Sequence, residues 1–539
     1  MYSSVETAVI LGIDSIHVKC EADVSDGLPV FDMVGFLSTE VRESRERVRT
    51  ALRNSGFTLP AKRITINISP ASLRKQGTAF DLPIACAILG ASHILEEEIL
   101  SSVLMVGELS LEGEVLPVKG ILPIALSMIE DDRLKDKILI LPAGNLREAS
   151  LLPSLRYLAV KNIMEVIALL SQSIDNLRSQ AARKEDILPF MQAYDDQYPF
   201  DFISVHGQKI LKRACEVAAS GKHHMLLIGP PGAGKTMAAK CLPSILPQMS
   251  HKEQLELSKI YSVSGLLSSA DGLVNKRPFR APHHTISTAG LCGGGSNPKP
   301  GEISLATSGV LFLDELTEFS RQTLETLRQP LEEKAVTIAR AGNTITYPAD
   351  FLMILAMNPC PCGYYPDLRK CRCTPGQIKR YLSRISQPLL DRIDLTVEVD
   401  TVRFQDIVST SKEEASQVIR NRVENSISIQ EERNTVYGFR YNSEIPSSLI
   451  NEICPLGRRE SRLCEDIYHK EGLSVRSYQK MLRVARTLAD MDESKNIKSC
   501  HLIEASSYRS ADRKYWGNDF MKEDIYYERQ KIHPMVQSN

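Results

Sequence analysis

The stretch Gly229-Pro-Pro-Gly-Ala-Gly-Lys235-Thr236 follows the apolar run Met225–Ile228 and decides how the rest of the chain is read. It fits the phosphate-loop pattern G-x-x-x-x-G-K-[ST], with a buried strand before it and a helix opening at Met237 after it. Glycines let the backbone N–H groups of Gly229, Pro231-flanked Gly232, Ala233 and Gly234 wrap phosphate oxygens, with Pro230 and Pro231 stiffening the turn. The helix N-terminus adds partial positive charge. Lys235 is placed to reach the β- and γ-phosphates of ATP, and Thr236 to hold Mg²⁺.

Downstream, Val310-Leu-Phe-Leu-Asp314-Glu315 is an apolar run ending in two carboxylates. Asp314 suits the Mg²⁺-organising role, and Glu315 the activation of an attacking water. A third apolar run, Phe351–Met357, ends at Asn358, a polar residue that can contact the γ-phosphate or the water. Phosphate loop, acidic strand and polar sensor strand in that order resemble an AAA+ ATPase. That resemblance implies a ring whose active sites lie between subunits. The segment Pro388-Leu-Leu-Asp391-Arg392-Ile-Asp394 resembles the arginine finger of the chelatase and replicative-helicase branch, with Arg392 as the finger and Arg384 as the alternative, for which a surface salt bridge is the competing explanation. Leu473-Ser-Val-Arg476-Ser-Tyr478 resembles the second sensor motif, whose arginine approaches the γ-phosphate.

Two further segments resemble that branch. Lys276-Arg277-Pro-Phe-Arg280-Ala-Pro-His283-His284 through Lys299 carries four basic residues and no acidic ones, and resembles the helix-2 insert. Val336 to Tyr347 reads as a β-hairpin with Ala-Gly-Asn near its turn, and resembles the pre-sensor hairpin. Both line the pore of such rings, so Arg340, Lys276, Arg277 and Arg280 are the DNA-contact candidates; a solvated turn arginine is the plainer reading of Arg340. Adjacent His283 and His284 read as loop hydrogen-bonding groups rather than as metal ligands. Cys360, Cys362, Cys371 and Cys373 form two C-x-C pairs with eight residues between them. Four thiols so close suggest tetrahedral zinc, or else a set of reduced structural thiols. Arg369 to Arg384 adds six basic residues and no acids, a second place for phosphate contacts.

The N-terminal third alternates strand and helix patterns: Ile64–Ile68 has the period of a half-buried strand, and Val41–Asn54 carries its charges on one helical face. Leu73-Arg-Lys-Gln-Gly-Thr-Ala79-Phe-Asp81 and Val106 to Gly120 resemble the Lon protease domain, which uses a Ser–Lys dyad. The overlay puts Ala79 at the nucleophile and Leu122 at the lysine, and Lys119 lies three residues too early to substitute. An alanine offers no nucleophile, so a scaffold or docking role is expected in place of peptidase activity.

The chain has 539 residues, enough for two to four domains. The expected fold class is α/β: a P-loop AAA+ core of the helix-2-insert and pre-sensor-hairpin branch, with an N-terminal Lon-like α+β domain and a C-terminal helical lid. The expected divisions are 1–170 for the Lon-like domain, 171–200 for a polar linker, 201–400 for the ATPase core, 401–510 for the lid and 511–539 for a polar tail. With 65 basic and 66 acidic residues the net charge is −1, so any attraction to nucleic acid must come from local patches. Twelve cysteines are too few for a disulfide scaffold. The absence of a signal-peptide pattern and of any apolar stretch of roughly 18–20 residues points to a cytoplasmic protein without membrane contact.

Together these features resemble the YifB/ComM family, often called magnesium chelatase-like. The resemblance covers residues 1 to about 510 and implies a homo-hexameric ring that uses ATP and Mg²⁺ to drive branch migration of branched or single-stranded DNA in recombination. Two other classes compete: a chelatase-type motor subunit, marked by partner-dependent metal insertion, and a protein-remodelling ATPase, which an absent Ser–Lys pair leaves open.

Overall fold

The structure is a computed structural model, and it describes residues 1–181, 198–267, 272–295, 298–367, 369–402, 404, 406 and 413–517, except 341 and 342. The side chains of 340 and 343 lie outside the described part.

Five short strands form the sheet that carries the phosphate loop, in the order Phe279–Arg280, Val310–Leu313, Leu352–Met357, Met225–Ile228, Leu395–Glu398. All its pairings are parallel. The three central strands and the first three residues of Leu395–Glu398 are buried throughout, which is why they read as unbroken apolar runs. Parallel order brings the C-terminal ends of Met225–Ile228, Val310–Leu313 and Leu352–Met357 side by side, where ligands gather in open α/β sheets. The phosphate loop, Asp314–Glu315 and Asn358 therefore emerge along one edge.

Helices from 416 onward complete this unit. Ser416–Asn434 and Val475–Met491 share one apolar core with Lys209–Gly221 and the phosphate-loop helix Lys235–Ile245. The fold is thus mixed α/β with a parallel sheet and a helical C-terminal region. The segment from 510 is not all a loose tail: Ser510–Trp516 is a helix, with Ala511 and Tyr515 buried against the sheet. Residues 518–539 lie outside the described part.

The N-terminal part holds a seven-stranded mixed sheet in the order Phe31–Val34, Arg63–Ser69, Asp14–Ser25, Tyr2–Leu11, Val103–Met105, Ile138–Pro142, Tyr157–Val160. Helix Asp81–Ala91 lies against it, buried at every residue. Helix Ile174–Gln180 belongs to the same core through Leu177, so the start of the segment read as a linker is folded, and residues 182–197 lie outside the described part. The N-terminal unit rests on the ATPase unit along helix His251–Ser264: Lys259 pairs with Asp14 at 2.7 Å, and Ser262 donates to the half-buried Glu148. Gly12 meets hairpin residue Ile345, where a Cβ would come within 2.8 Å of the side chain. Among the described residues no helix is long and apolar enough to cross a membrane.

Candidate functional site

Gly232 and Gly234 take the left-handed conformation, φ +76° and +88°, with open space where a Cβ would be. The loop thus presents backbone and no side chains to a ligand. Lys235, the first residue of its helix, is 7% exposed, and its ammonium folds back to donate to Gly229 O (2.7 Å), Pro230 O (3.0 Å) and Asn358 Oδ1 (3.3 Å). Burial lowers its pKa, and the charge of Asp314 partly opposes this. Thr236 Oγ1 donates to Asp314 Oδ2 at 2.7 Å. A hydroxyl and a carboxylate oxygen at the mouth of a phosphate loop are hard donors of the kind Mg²⁺ takes, so the pair fits that ion.

Glu315 follows in a left-handed conformation, φ +50°, with its N–H on Asp314 Oδ1 (2.9 Å). A non-glycine residue there stores strain that the surrounding fold must hold, a common condition at working sites. Its carboxylate is 60% exposed and lies 3.5 Å from His284 Nδ1. The two histidines therefore separate: His283 serves its loop through Thr285 Oγ1 (2.9 Å), while His284 reaches the acidic strand. Sequence reading treated them alike, because nothing in an adjacent pair says which ring faces inward.

The arginines read as finger and second sensor lie elsewhere. Arg392 donates to Pro388 O (2.5 Å) and pairs with Glu332, and Arg476 stands exposed in the first turn of Val475–Met491. Both line a cleft of about 510 Å³ with Lys222, Asp391 and Arg483, and none of its lining residues belongs to the phosphate loop or the acidic strand. Arg384 instead holds the turn after the acidic strand through Thr317 O (3.0 Å) and Glu318 (3.2 Å).

The structure redistributes the basic candidates. Arg277 is 6% exposed, its guanidinium engaged with Pro247 O, Ser308 O, Gln248 O and Glu253, so it fastens the core. Arg280 is neutralised by both oxygens of Glu302. Arg280 lies in the sheet-edge strand Phe279–Arg280, and Lys276 and Arg277 just before it. The small insert hairpin is Gly293–Gly294 paired with Lys299–Pro300. Arg340 ends strand Ala335–Arg340, opposite Asn343, at the tip of the hairpin. In Arg476–Arg486, Lys480 is buried on Asp394 (3.1 Å) and Arg486 on Asp490 (2.9 Å). By contrast Arg369, Lys370, Arg372, Lys379, Arg380 and Arg384 are all exposed.

The four cysteines converge. Cys360 Sγ lies 3.3 Å from Cys362 Sγ and 3.8 Å from Cys371 Sγ, and all four sulfurs lie within 4.8 Å of one another. Burial opposes ionisation of Cys362, yet the N–H groups of Tyr364 and Arg372 bring its thiol down to about 6, while burial pushes Cys371 up to about 12.

Models of the magnesium chelatase subunit ChlI match residues 201–407, those of ChlI of Mg-chelatase match 20–145, and those of the ChlI C-terminal part match 413–509. The competence protein ComM of Haemophilus influenzae is 40% identical over 503 residues, covering 93% of this chain and 96% of its own. The chain belongs to the YifB/ComM family of magnesium chelatase-like proteins. YifB of Escherichia coli, uncharacterized, is likewise 40% identical, over 95% of this chain and 97% of its own. A more distant likeness, 24% identity over 40% of the chain, is to the probable DNA helicase MCM9 of Arabidopsis thaliana, of which it covers 27%. In the N-terminal unit, Ala79 and Leu122, the overlaid dyad positions, pack into one apolar cluster. Lys119 turns away, to Ser264 O.

Proposed function

We propose that this chain hydrolyses ATP with Mg²⁺ in a homo-hexameric ring and uses the energy to move branched or single-stranded DNA. The observation that carries the hydrolytic reading is the convergence of Lys235, Thr236, Asp314, Glu315 and Asn358 at one edge of the sheet. The phosphate loop would hold ATP, with Lys235 and Asn358 on its terminal phosphate. Thr236 and Asp314 would hold Mg²⁺, which neutralises developing phosphate charge. Glu315, oriented by His284, would take the proton of the attacking water.

Arg392 and Arg476 share a cleft remote from the chain's own phosphate loop, which supports their acting on a neighbour's nucleotide in a closed ring. The exposed cations of Arg369–Arg384, with Lys276 and the tip residue Arg340, are the proposed phosphate contacts of DNA. The name competence protein, carried by ComM, and the likeness to a probable DNA helicase favour a nucleic-acid substrate. The N-terminal unit is proposed as a Lon-like docking module: with Ala79 and Leu122 packed apolar, it offers no nucleophile at the overlaid dyad. The expected divisions 1–170, 201–400 and 401–510 and a cytoplasmic location belong to the same proposal.

The test is branch migration of a labelled synthetic four-way junction with ATP and Mg²⁺. Dissociation of the junction into duplex products by the native chain and none by Glu315→Gln is expected; a junction left intact at every protein concentration would count against the motor. A chelatase-type motor is the second reading, favoured by the matches to ChlI models. It expects metal insertion into a tetrapyrrole that requires this chain together with a partner.

A further inference from the structure

Two neighbours of the four cysteines belong to the nucleotide site. Asn358, which accepts from Lys235, stands two positions before Cys360. Gly363, φ +82°, lies against the phosphate loop so closely that a Cβ would come within 2.6 Å of Pro231 Cδ and 3.9 Å of Asn358 Cγ. Cys360 is fully buried in the core beneath strands Met225–Ile228 and Val310–Leu313. Its sulfur accepts the Tyr365 N–H at 3.4 Å, and the Tyr365 ring meets Tyr515, whose hydroxyl donates to Glu398 (2.6 Å) beside Ile228. On the other side, Cys373 runs into helix Pro375–Leu382 through a capping box at Thr374.

The sulfur geometry suits one ion. Zinc–thiolate bonds of about 2.3 Å put tetrahedral sulfurs about 3.8 Å apart. The pairs among Cys360, Cys362 and Cys371 stand at 3.3, 3.5 and 3.8 Å, with every sulfur, that of Cys373 included, within 4.8 Å of the others. All twelve cysteines are free of disulfides.

We propose that Cys360, Cys362, Cys371 and Cys373 bind one zinc ion whose coordination clamps Gly363 on Pro231 and fixes Asn358, so that zinc occupancy sets the order of the phosphate loop and its affinity for nucleotide. A two-residue connection to Asn358 and a van der Waals contact on Pro231 leave little slack for a loop that opens when its ion leaves. The inference rests on the reading that nucleotide binds at Gly229–Thr236.

The test uses the full chain, purified without chelator or metal-affinity resin. Three readings are taken: zinc per chain by mass spectrometry of the metal, amide hydrogen exchange across Gly229–Thr236, and affinity for a fluorescent ATP analogue. About one zinc per chain is expected. Stripping it with a chelator should speed loop exchange and weaken analogue binding by roughly tenfold to a hundredfold, the scale of a misplaced binding group. Added zinc, and not added magnesium, should reverse both. Gly363→Ala keeps all four thiols, so it should retain zinc while weakening nucleotide binding. A chain that neither carries nor takes up zinc overturns the site. Zinc-free protein with unchanged loop exchange and affinity overturns the clamp. Zinc-loaded protein that binds no nucleotide would instead remove the ATPase reading, while the zinc count and loop exchange would still judge the clamp.

Discussion

Lys235 and Asn358 are 123 positions apart in the chain and share a hydrogen bond, so the parallel sheet carries the chemistry between segments that local sequence cannot connect. Their residue types were legible because a phosphate loop needs its lysine and a strand end rarely carries a lone amide without purpose. His284 was not, since its contact with Glu315 depends on how the loop after Phe279–Arg280 turns. Glu315→Gln removes the proton acceptor and keeps the shape. It should bind ATP with near-native affinity and lose turnover by about 10²- to 10⁴-fold, measured by equilibrium binding and steady-state hydrolysis. Undiminished hydrolysis would reassign the base. A count of charges does not tell a buried arginine from a surface one: the Arg277 guanidinium satisfies main-chain carbonyls inside the protein. Arg277→Ala should therefore destabilise the fold by on the order of 3 kcal/mol, read as an earlier denaturant midpoint. Weakened DNA binding at unchanged stability would restore it to the surface set.

At the scale of elements, the buried strands announced themselves as apolar runs, whereas edge strand Phe279–Arg280 is only two residues long and half-exposed. In sequence its basic flank reads as one segment with Gly293–Gly294 and Lys299, which the structure divides into this strand and a separate hairpin. The cysteine segment displays its cations, and that display has a measurable signature. Replacing Arg369, Lys370 and Arg372 by alanine should reduce the slope of log binding constant against log salt for duplex DNA by about 3, near one per phosphate contact. An unchanged slope would remove the segment from the interface. His224 leads into the phosphate-loop strand, its Nδ1 accepting Met353 N–H at 3.2 Å. Burial, with Lys480 and Lys222 nearby, holds its pKa down to about 4 from an ordinary 6.5, against the opposing pull of Asp394. A depressed histidine pKa means the fold prefers the neutral ring. Its stabilisation is complete above about 6.5 and is lost as pH falls towards 4. Melting midpoints between pH 7 and 4 should fall for the native chain and fall less for His224→Asn, which can keep an acceptor; parallel curves would acquit the histidine.

For the whole molecule, one chain presents the phosphate edge and, away from it, the cleft of Arg392 and Arg476, which the proposed ring would bring together across neighbours. The motifs named both, but their separation needed three dimensions. Chains bearing Lys235→Ala and chains bearing Arg392→Ala should each be inactive alone. Mixed rings should recover about a quarter of native turnover, because random assembly makes one interface in four complete. Recovery of nothing would mean that Lys235 and Arg392 of one and the same chain serve a single site. The N-terminal unit, seated on helix His251–Ser264 and touching hairpin residue Ile345, is positioned to follow any movement of that helix and hairpin. Coupling between ATP and DNA is the claim on which these parts converge. Steady-state ATP turnover measured with and without a four-way DNA junction, across a salt series, tests it most directly. Stimulation by the junction that fades as salt rises and vanishes in Glu315→Gln is expected; turnover indifferent to DNA at every salt concentration would contradict ATP–DNA coupling.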